Sequence, residues 1–187
     1  LGGATGSGGK LKETGTVYWN SPNTGAANDF LFNARGCGLR LASGEFNYIG
    51  VSCEFWITDS DVFYHSSNPY FLNDTADWIT DSSFMDAEKG VQIRLFRLAT
   101  ESELLLPDGV ISATYQGNDL KIYQCTKIGT QIWMNADLCE TKYRNGNYIN
   151  GFNAGVYTVI SDEDWSDLET GALCAYNNDF DNVLISE

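Results

Sequence analysis

The chain has 187 residues and a formal charge of −14, with 25 acidic side chains against 11 Lys and Arg, 13% aromatics, and 19 Gly against 3 Pro. That length holds one ordinary domain or two small ones, and the aromatic, Gly-rich mixture suits a loop-rich globular protein rather than a disordered one. The cation deficit excludes DNA, RNA and anionic membrane surfaces as partners, because phosphate binding rests on Lys and Arg.

Residues Leu1 to Asp29 are rich in Gly, Ser, Thr and Asn and contain the turn-forming run Ser21-Pro22-Asn23-Thr24-Gly25. Leu1-Gly2-Gly3 does not read as a signal peptide and no apolar run is long enough to span a bilayer, so the chain reads as cut from a longer one. Short apolar runs follow at Phe30 to Asn33, Glu54 to Ile57, Tyr70 to Leu72 and Trp78-Ile79, each bounded by turn residues. They predict short strands joined by long loops. The clearest strand is Val91 to Leu98, where Val91, Ile93 and Leu95 alternate with Gln92 and Arg94 in a half-buried pattern.

Ala99 to Asp108 reads as a connector ending in a turn. Beyond it, Val110 to Tyr115, Lys121 to Ile128 and Gln131 to Met134 predict strands, the last two joined at Gly129-Thr130. Ser161 before Asp162-Glu163-Asp164-Trp165 is an N-cap with acidic residues in the first turn, predicting a helix to Leu168 that Gly171 ends. Leu173 to Tyr176 predicts a last strand, and no repeat suggests a solenoid.

Few patterns carry chemistry. Cys37, Cys53, Cys125, Cys139 and Cys174 show no CxxC spacing and accompany a single histidine, His65, so they read as free thiols rather than zinc ligands. A bridge between two of Cys125, Cys139 and Cys174 stays open. No elbow motif surrounds His65, and carboxylate pairs arise freely in so acidic a chain. Asp59-Ser60-Asp61 and Asn177-Asn178-Asp179-Phe180-Asp181 offer oxygen ligands but not the EF-hand pattern, and read as solvated turns. No catalytic residue, metal site or cofactor is expected.

The most informative stretch is marked by what it lacks. No Lys or Arg occurs from Leu41 to Glu88, and from Ile57 to Asp77 there is also no Glu, Gln, Met or Trp. Lys, Glu, Gln, Met and Trp make up roughly one residue in seven, so a run of this length misses all five only a few times in a hundred. They are the amino acids that a codon ending in a pyrimidine cannot encode, as adenine-directed diversification of AAY codons would leave behind. The plain alternative is an acidic, solvated loop region. The run mixes aromatics with short polar side chains, the composition of antibody paratopes. Phe55, Trp56 and Phe71 read as core. The expected ligand-binding residues are Tyr48, Val51, Ser52, Glu54, Asp59, Asp61, Phe63, His65, Tyr70, Asp74, Asp77 and Trp78.

Two stretches resemble one family. Gly8-Gly9-Lys10-Leu11-Lys12-Glu13-Thr14-Gly15 followed by Trp19-Asn20-Ser21-Pro22-Asn23-Thr24-Gly25-Ala26 is similar to the most recognisable run of the Fibrobacter succinogenes major paralogous domain. Phe32-Asn33-Ala34-Arg35-Gly36, Phe55-Trp56 and Gly90 to Arg97 continue it in order. Lys127 to Met134, Thr141-Lys142-Tyr143, Asn145-Gly146, Trp165, Thr170-Gly171-Ala172 and Tyr176 to Asp179 resemble the family's opening half. The resemblance implies an α+β, C-type-lectin-like fold with short irregular strands and long loops over 1–98, and a small β-rich module over 109–187 behind the 99–108 connector. That module is expected to have its own aromatic core from Trp133, Tyr143, Tyr157, Trp165 and Tyr176. Because the closing half precedes the opening half, the chain reads as a fragment covering the end of one domain and a second, shortened one; a permuted domain is the alternative.

The resemblance also implies function. Such domains in gut bacteria and their phages look like targets of diversity-generating retroelements. A non-enzymatic, ligand-binding display protein follows, on a phage virion or bacterial cell surface. Its partner would be a cell-surface protein or a neutral glycan, with no nucleic acid, no membrane insertion and an oligomer open. The calcium-and-sugar tripeptides of true C-type lectins are missing, and Ser67-Asn68-Pro69 does not replace them. An enzyme of the formylglycine-generating branch, which would need reactive Cys37 or Cys53, and a structural adhesin module are the competing readings.

Overall fold

A computed structural model of the chain describes residues 6–56, 68–71, 75–76, 79–82 and 88–181, the short segments 68–71 and 79–82 by their backbone. It is mixed: a few short helices and several antiparallel sheets. Helix α1 (Ser7–Leu11) opens the described chain from a region that composition alone marks as loop. Gly9 lets it pack directly against the loop at Gly25, because a Cβ there would collide with the Gly25 carbonyl. Its neighbour Leu11 reaches the main core, where Trp19, Phe32, Ala34, Cys53 and Phe55 pack with Ile128.

Strands β1 (Cys37–Arg40) and β2 (Phe46–Ile49) form a hairpin. Strands β3 (Cys53–Glu54), β4 (Asn68–Phe71) and β5 (Ile79–Ser82) form an antiparallel sheet in that order. These account for the expected strands near Glu54, Tyr70 and Ile79, whereas Phe30 to Asn33 forms none and instead gives Phe32 to the core. No helix occurs among the described residues between Arg40 and Lys89.

The four-stranded sheet runs β6 (Phe96–Leu98), β9 (Gln131–Met134), β8 (Ile122–Ile128), β7 (Ile111–Gln116). The turn at Gly129-Thr130 joins β8 to β9 as the sequence predicts. The expected partition at 99–108 is not how these strands are arranged. Strand β6 precedes the connector, yet it pairs with β9 beyond it, Phe96 opposite Trp133 and Leu98 opposite Gln131. Within the connector lies α2 (Glu101–Leu104), closed by a capping box between Thr100 and Glu103.

The separate aromatic core expected for 109–187 does not form either. Trp133 packs on Phe96 and Phe32, Trp165 lies over Arg40, and Tyr176 packs on Phe46, all from the first half. Tyr157 keeps to its own side, stacked on Phe180 beside β10 (Phe152–Asn153) and β11 (Val156–Tyr157), and so does the exposed Tyr143, whose hydroxyl donates to the Gly171 carbonyl at 2.7 Å. The piece does bury a cluster of its own, Tyr123, Cys125, Ile132 and Met134 on β8 and β9, but the larger rings of Trp133, Trp165 and Tyr176 cover surface against the neighbouring half. Helix α3 (Asp162–Ser166) starts at the Ser161 cap as predicted and ends two residues earlier than expected. The strand expected at Leu173 to Tyr176 is replaced by a single bridge at Ala172 and a 3-10 turn, Tyr176–Asn178.

One inversion matters most. In the expected strand Val91 to Leu98 the alternation is turned over: Ile93 and Leu95 are exposed and Arg94 is buried. Only Phe96–Leu98 is strand. Arg94 points inward because each of its three guanidinium nitrogens finds an acceptor there. It donates to Asp137 at 2.7 Å, to the Asn33 carbonyl at 3.0 Å and to the Phe32 carbonyl, and it lies over the rings of Phe32 and Phe55. A buried cation is tolerated when every donor is met.

Candidate functional site

The cation-free run begins and ends on neighbouring backbone. Trp56 donates its N–H to the Gln92 carbonyl at 3.0 Å, and Gln92 donates to the Glu54 carbonyl at 3.1 Å. Phe55 and Gln92 bridge in parallel, while Arg40 and Gly90 exchange both backbone bonds at 2.9 Å. The Gln92 side chain closes the junction, accepting from the Glu54 N–H at 3.1 Å and donating to the Gly38 carbonyl at 3.0 Å. Residues 57–89 are therefore an excursion from one fixed point of the fold. Lys12 grips it part-way: buried completely, its ammonium donates to the Thr24 carbonyl at 2.7 Å and the Ala76 carbonyl at 2.8 Å, beside the Trp19 ring.

Of the expected binding residues, Asp59, Asp61, Phe63, His65, Asp74, Asp77 and Trp78 lie outside the described residues. The backbone of Tyr70 sits mid-sheet, opposite Glu54 on one side and Thr80 on the other. Tyr48 is 57% exposed and holds a left-handed backbone, φ 67°. Val51 and Ser52 donate their N–H groups to its carbonyl and help hold that conformation. Such a backbone is uncommon for a bulky residue and persists only where the surroundings enforce it, which is frequent at recognition sites. Val51 is half-buried. Ser52 and Glu54 depart from the expectation of surface contacts, because both are buried. They alternate in the extended chain with Cys53 and Phe55, which enter the core, so they share the opposite face. Ser52 Oγ and one carboxylate oxygen of Glu54 make no hydrogen bond there.

Burial raises the Glu54 carboxyl to about 7 from its ordinary 4.5, with Lys89 pulling the other way. The folded state therefore holds this proton over a range where the unfolded chain has lost it. Stability falls as pH rises from about 4.5 to about 7 and is flat above, as far as this group is concerned. Glu54→Gln should remove that slope and leave the protein more stable than wild type at pH 8. Thermal melts of both proteins from pH 5 to pH 8 measure it, and parallel curves would reject the assignment.

All five cysteines are free thiols, so the bridge left open among Cys125, Cys139 and Cys174 is not formed. Cys37 and Cys53, the pair the enzyme reading requires, are held protonated: burial pushes both thiols up, and the Asp137 carboxylate adds to it. A nucleophilic or redox-active cysteine needs the reverse. Among the described residues no three His, Cys, Asp or Glu side chains are placed to hold a metal ion, and no helix is long and apolar enough to cross a membrane. Asp59-Ser60-Asp61 lies outside the described residues, and in the second acidic turn Asp179 is used locally, accepting from the Asp181 N–H.

Sequence reasoning missed the residues that build the site's frame: Lys12, Arg40, Gln92 and Arg94. The only signal was that Arg40 and Arg94 stand near the two borders of the cation-free run; nothing local marks Lys12 or Gln92. No family model matches this chain, and no curated protein or solved structure matches it.

Proposed function

We propose that this chain is a ligand-binding display protein in which the 57–89 excursion carries the variable recognition surface. The observation that supports it is the junction at Glu54, Phe55 and Gln92: a segment that leaves and returns at adjacent backbone positions can change sequence without altering the frame. The compositional gap from Ile57 to Asp77 is what retroelement-driven diversification of such a segment would leave. We read the fold as C-type-lectin-like and permuted rather than as a fragment, because strands from both halves share one sheet and Ile128 packs into the core of the first half. The protein would act outside the cell, on a phage virion or bacterial surface. It would recognise a basic patch of a cell-surface protein or a neutral glycan, since no Lys or Arg from Leu41 to Glu88 offsets the run's carboxylates.

The binding energy would rest on aromatic anchors among short polar groups, a combination that loses little entropy on association. Alanine at both Tyr70 and Trp78 should weaken adsorption to gut bacterial cells or surface extracts by about 30-fold or more, as loss of two hot-spot aromatics does. Replacing the whole 57–87 segment with a shuffled sequence should change the target while leaving the melting temperature within a few degrees. Equal retention of the double variant and wild type would remove the site, and collapse of the fold on segment exchange would remove the excursion reading.

A further inference from the structure

A cleft lies at the turn of the first hairpin, beside the base of the excursion, where Arg40 pairs with Gly90 and Trp165 donates to the Glu88 carbonyl at 3.1 Å. It has a volume of about 560 Å³ and is lined by Glu45, Phe46, Asn47, Asp162, Asn177 and Asn178, with Gly44 at its edge. Three distant pieces of chain build it, and Arg40 ties two of them together. Its guanidinium, which lies over the rings of both Phe46 and Trp165, donates to the Gly44 carbonyl at 2.8 Å, the Ile160 carbonyl at 2.8 Å and Asp162 Oδ1 at 3.1 Å. Gly44 has φ 93°, and a Cβ there would collide with Asp162, so the hairpin turn meets α3 in direct backbone contact. The third wall is the 3-10 turn, held by Tyr176 against Phe46.

The chemistry of the walls selects the ligand. Asp162 is pinned through one oxygen and its side chain stays 61% exposed. Asn177 and Asn178 both adopt left-handed backbones, φ 54° and 56°, and Asn178 Oδ1 is buried without a hydrogen-bond partner. No Lys, Arg or His lines the cleft among the described residues, which disfavours phosphate, sulfate and carboxylate ligands. Phe46 is the only large apolar side chain in the lining, too little for a lipid. Two carboxylates that accept, three carboxamides that both donate and accept, and one ring match a molecule with many hydroxyl groups and a small apolar face.

We propose that this cleft binds an uncharged saccharide unit, independently of the excursion. The volume falls within the range of about 300–1,000 Å³ common to small-ligand sites, and its openness to solvent lets a longer chain continue outward. Hydroxyl groups would donate to Asn178 Oδ1, Asp162 and Glu45, with a ring face against Phe46.

The test is titration of the full chain, followed by NMR, with neutral gluco-, manno- and galacto-configured oligosaccharides at millimolar concentration. At least one should bind and give intermolecular Overhauser contacts to the Phe46 ring protons. Asn178→Gly keeps the left-handed backbone while removing the unpaired oxygen, and Asp162→Asn keeps an acceptor for Arg40. Each should weaken binding roughly 3- to 10-fold, the effect of one hydrogen bond. Exchange of the 57–87 segment should leave saccharide binding unchanged even if it abolishes cell adsorption. Absence of binding by every neutral saccharide, binding without Phe46 contacts, or shifts in the cleft produced only by calcium or by a lysine-rich peptide would each overturn the proposal.

Discussion

Arg94→Met is expected to destabilise the protein by about 3–5 kcal/mol, the loss measured when one member of a buried ion pair is removed. For a domain of this size that lowers the melting temperature by roughly 6–20 °C. The guanidinium is 2% exposed and holds Asp137 together with the carbonyls of Phe32 and Asn33, so its removal leaves acceptors from three places without donors. It also joins the two halves of the chain, since Phe32 and Asn33 precede the 99–108 connector and Asp137 follows it. Asp137→Asn should cost less, because the amide oxygen still accepts from Arg94 Nε. Urea unfolding of the single and double variants provides the coupling energy. A loss below about 1 kcal/mol for Arg94→Met would mean that the halves are not joined through this residue.

Lys12→Met is the second large effect, and it has two readouts. Methionine fills similar space but leaves the Thr24 and Ala76 carbonyls without a donor, at about 1–3 kcal/mol for each buried group. The Thr24 contact belongs to the frame, whereas the Ala76 contact belongs to the excursion. Global stability should therefore fall by roughly 2–4 kcal/mol. Amide exchange in β4 and β5 should accelerate more than in β8 and β9, because the excursion loses its grip on the frame. Cell adsorption should weaken at temperatures where the variant is still folded. Uniform acceleration throughout the sheets would assign Lys12 to the frame alone.

Both residues show why some of the fold was readable in the sequence and some was not. The turn at Gly129-Thr130, the strands β8 and β9 and the Ser161 cap of α3 are local: a few adjacent residues carry both the signal and the hydrogen bonds that satisfy it. The compositional gap from Ile57 to Asp77 was legible for a similar reason, as it needs no partner to be seen. Arg94 read as solvent-facing because alternation ranks side chains by polarity, and polarity says nothing of acceptors waiting over 40 residues away at Asp137. Lys12 sat in plain view in the Gly8 to Gly15 run, but only the return of the excursion to Ala76 makes it a buried clamp. The partition at 99–108 failed on the same ground, since a capped short helix and a turn look like a boundary, while β6 pairing with β9 depends on edges exposed by residues on both sides. The sequence by itself determined the charge, the caps, the tight turns and the extent of the cation-free run. The tertiary structure decided which cations turn inward, which strands meet and where the cleft forms, because each of these depends on hydrogen-bond partners distant in the chain.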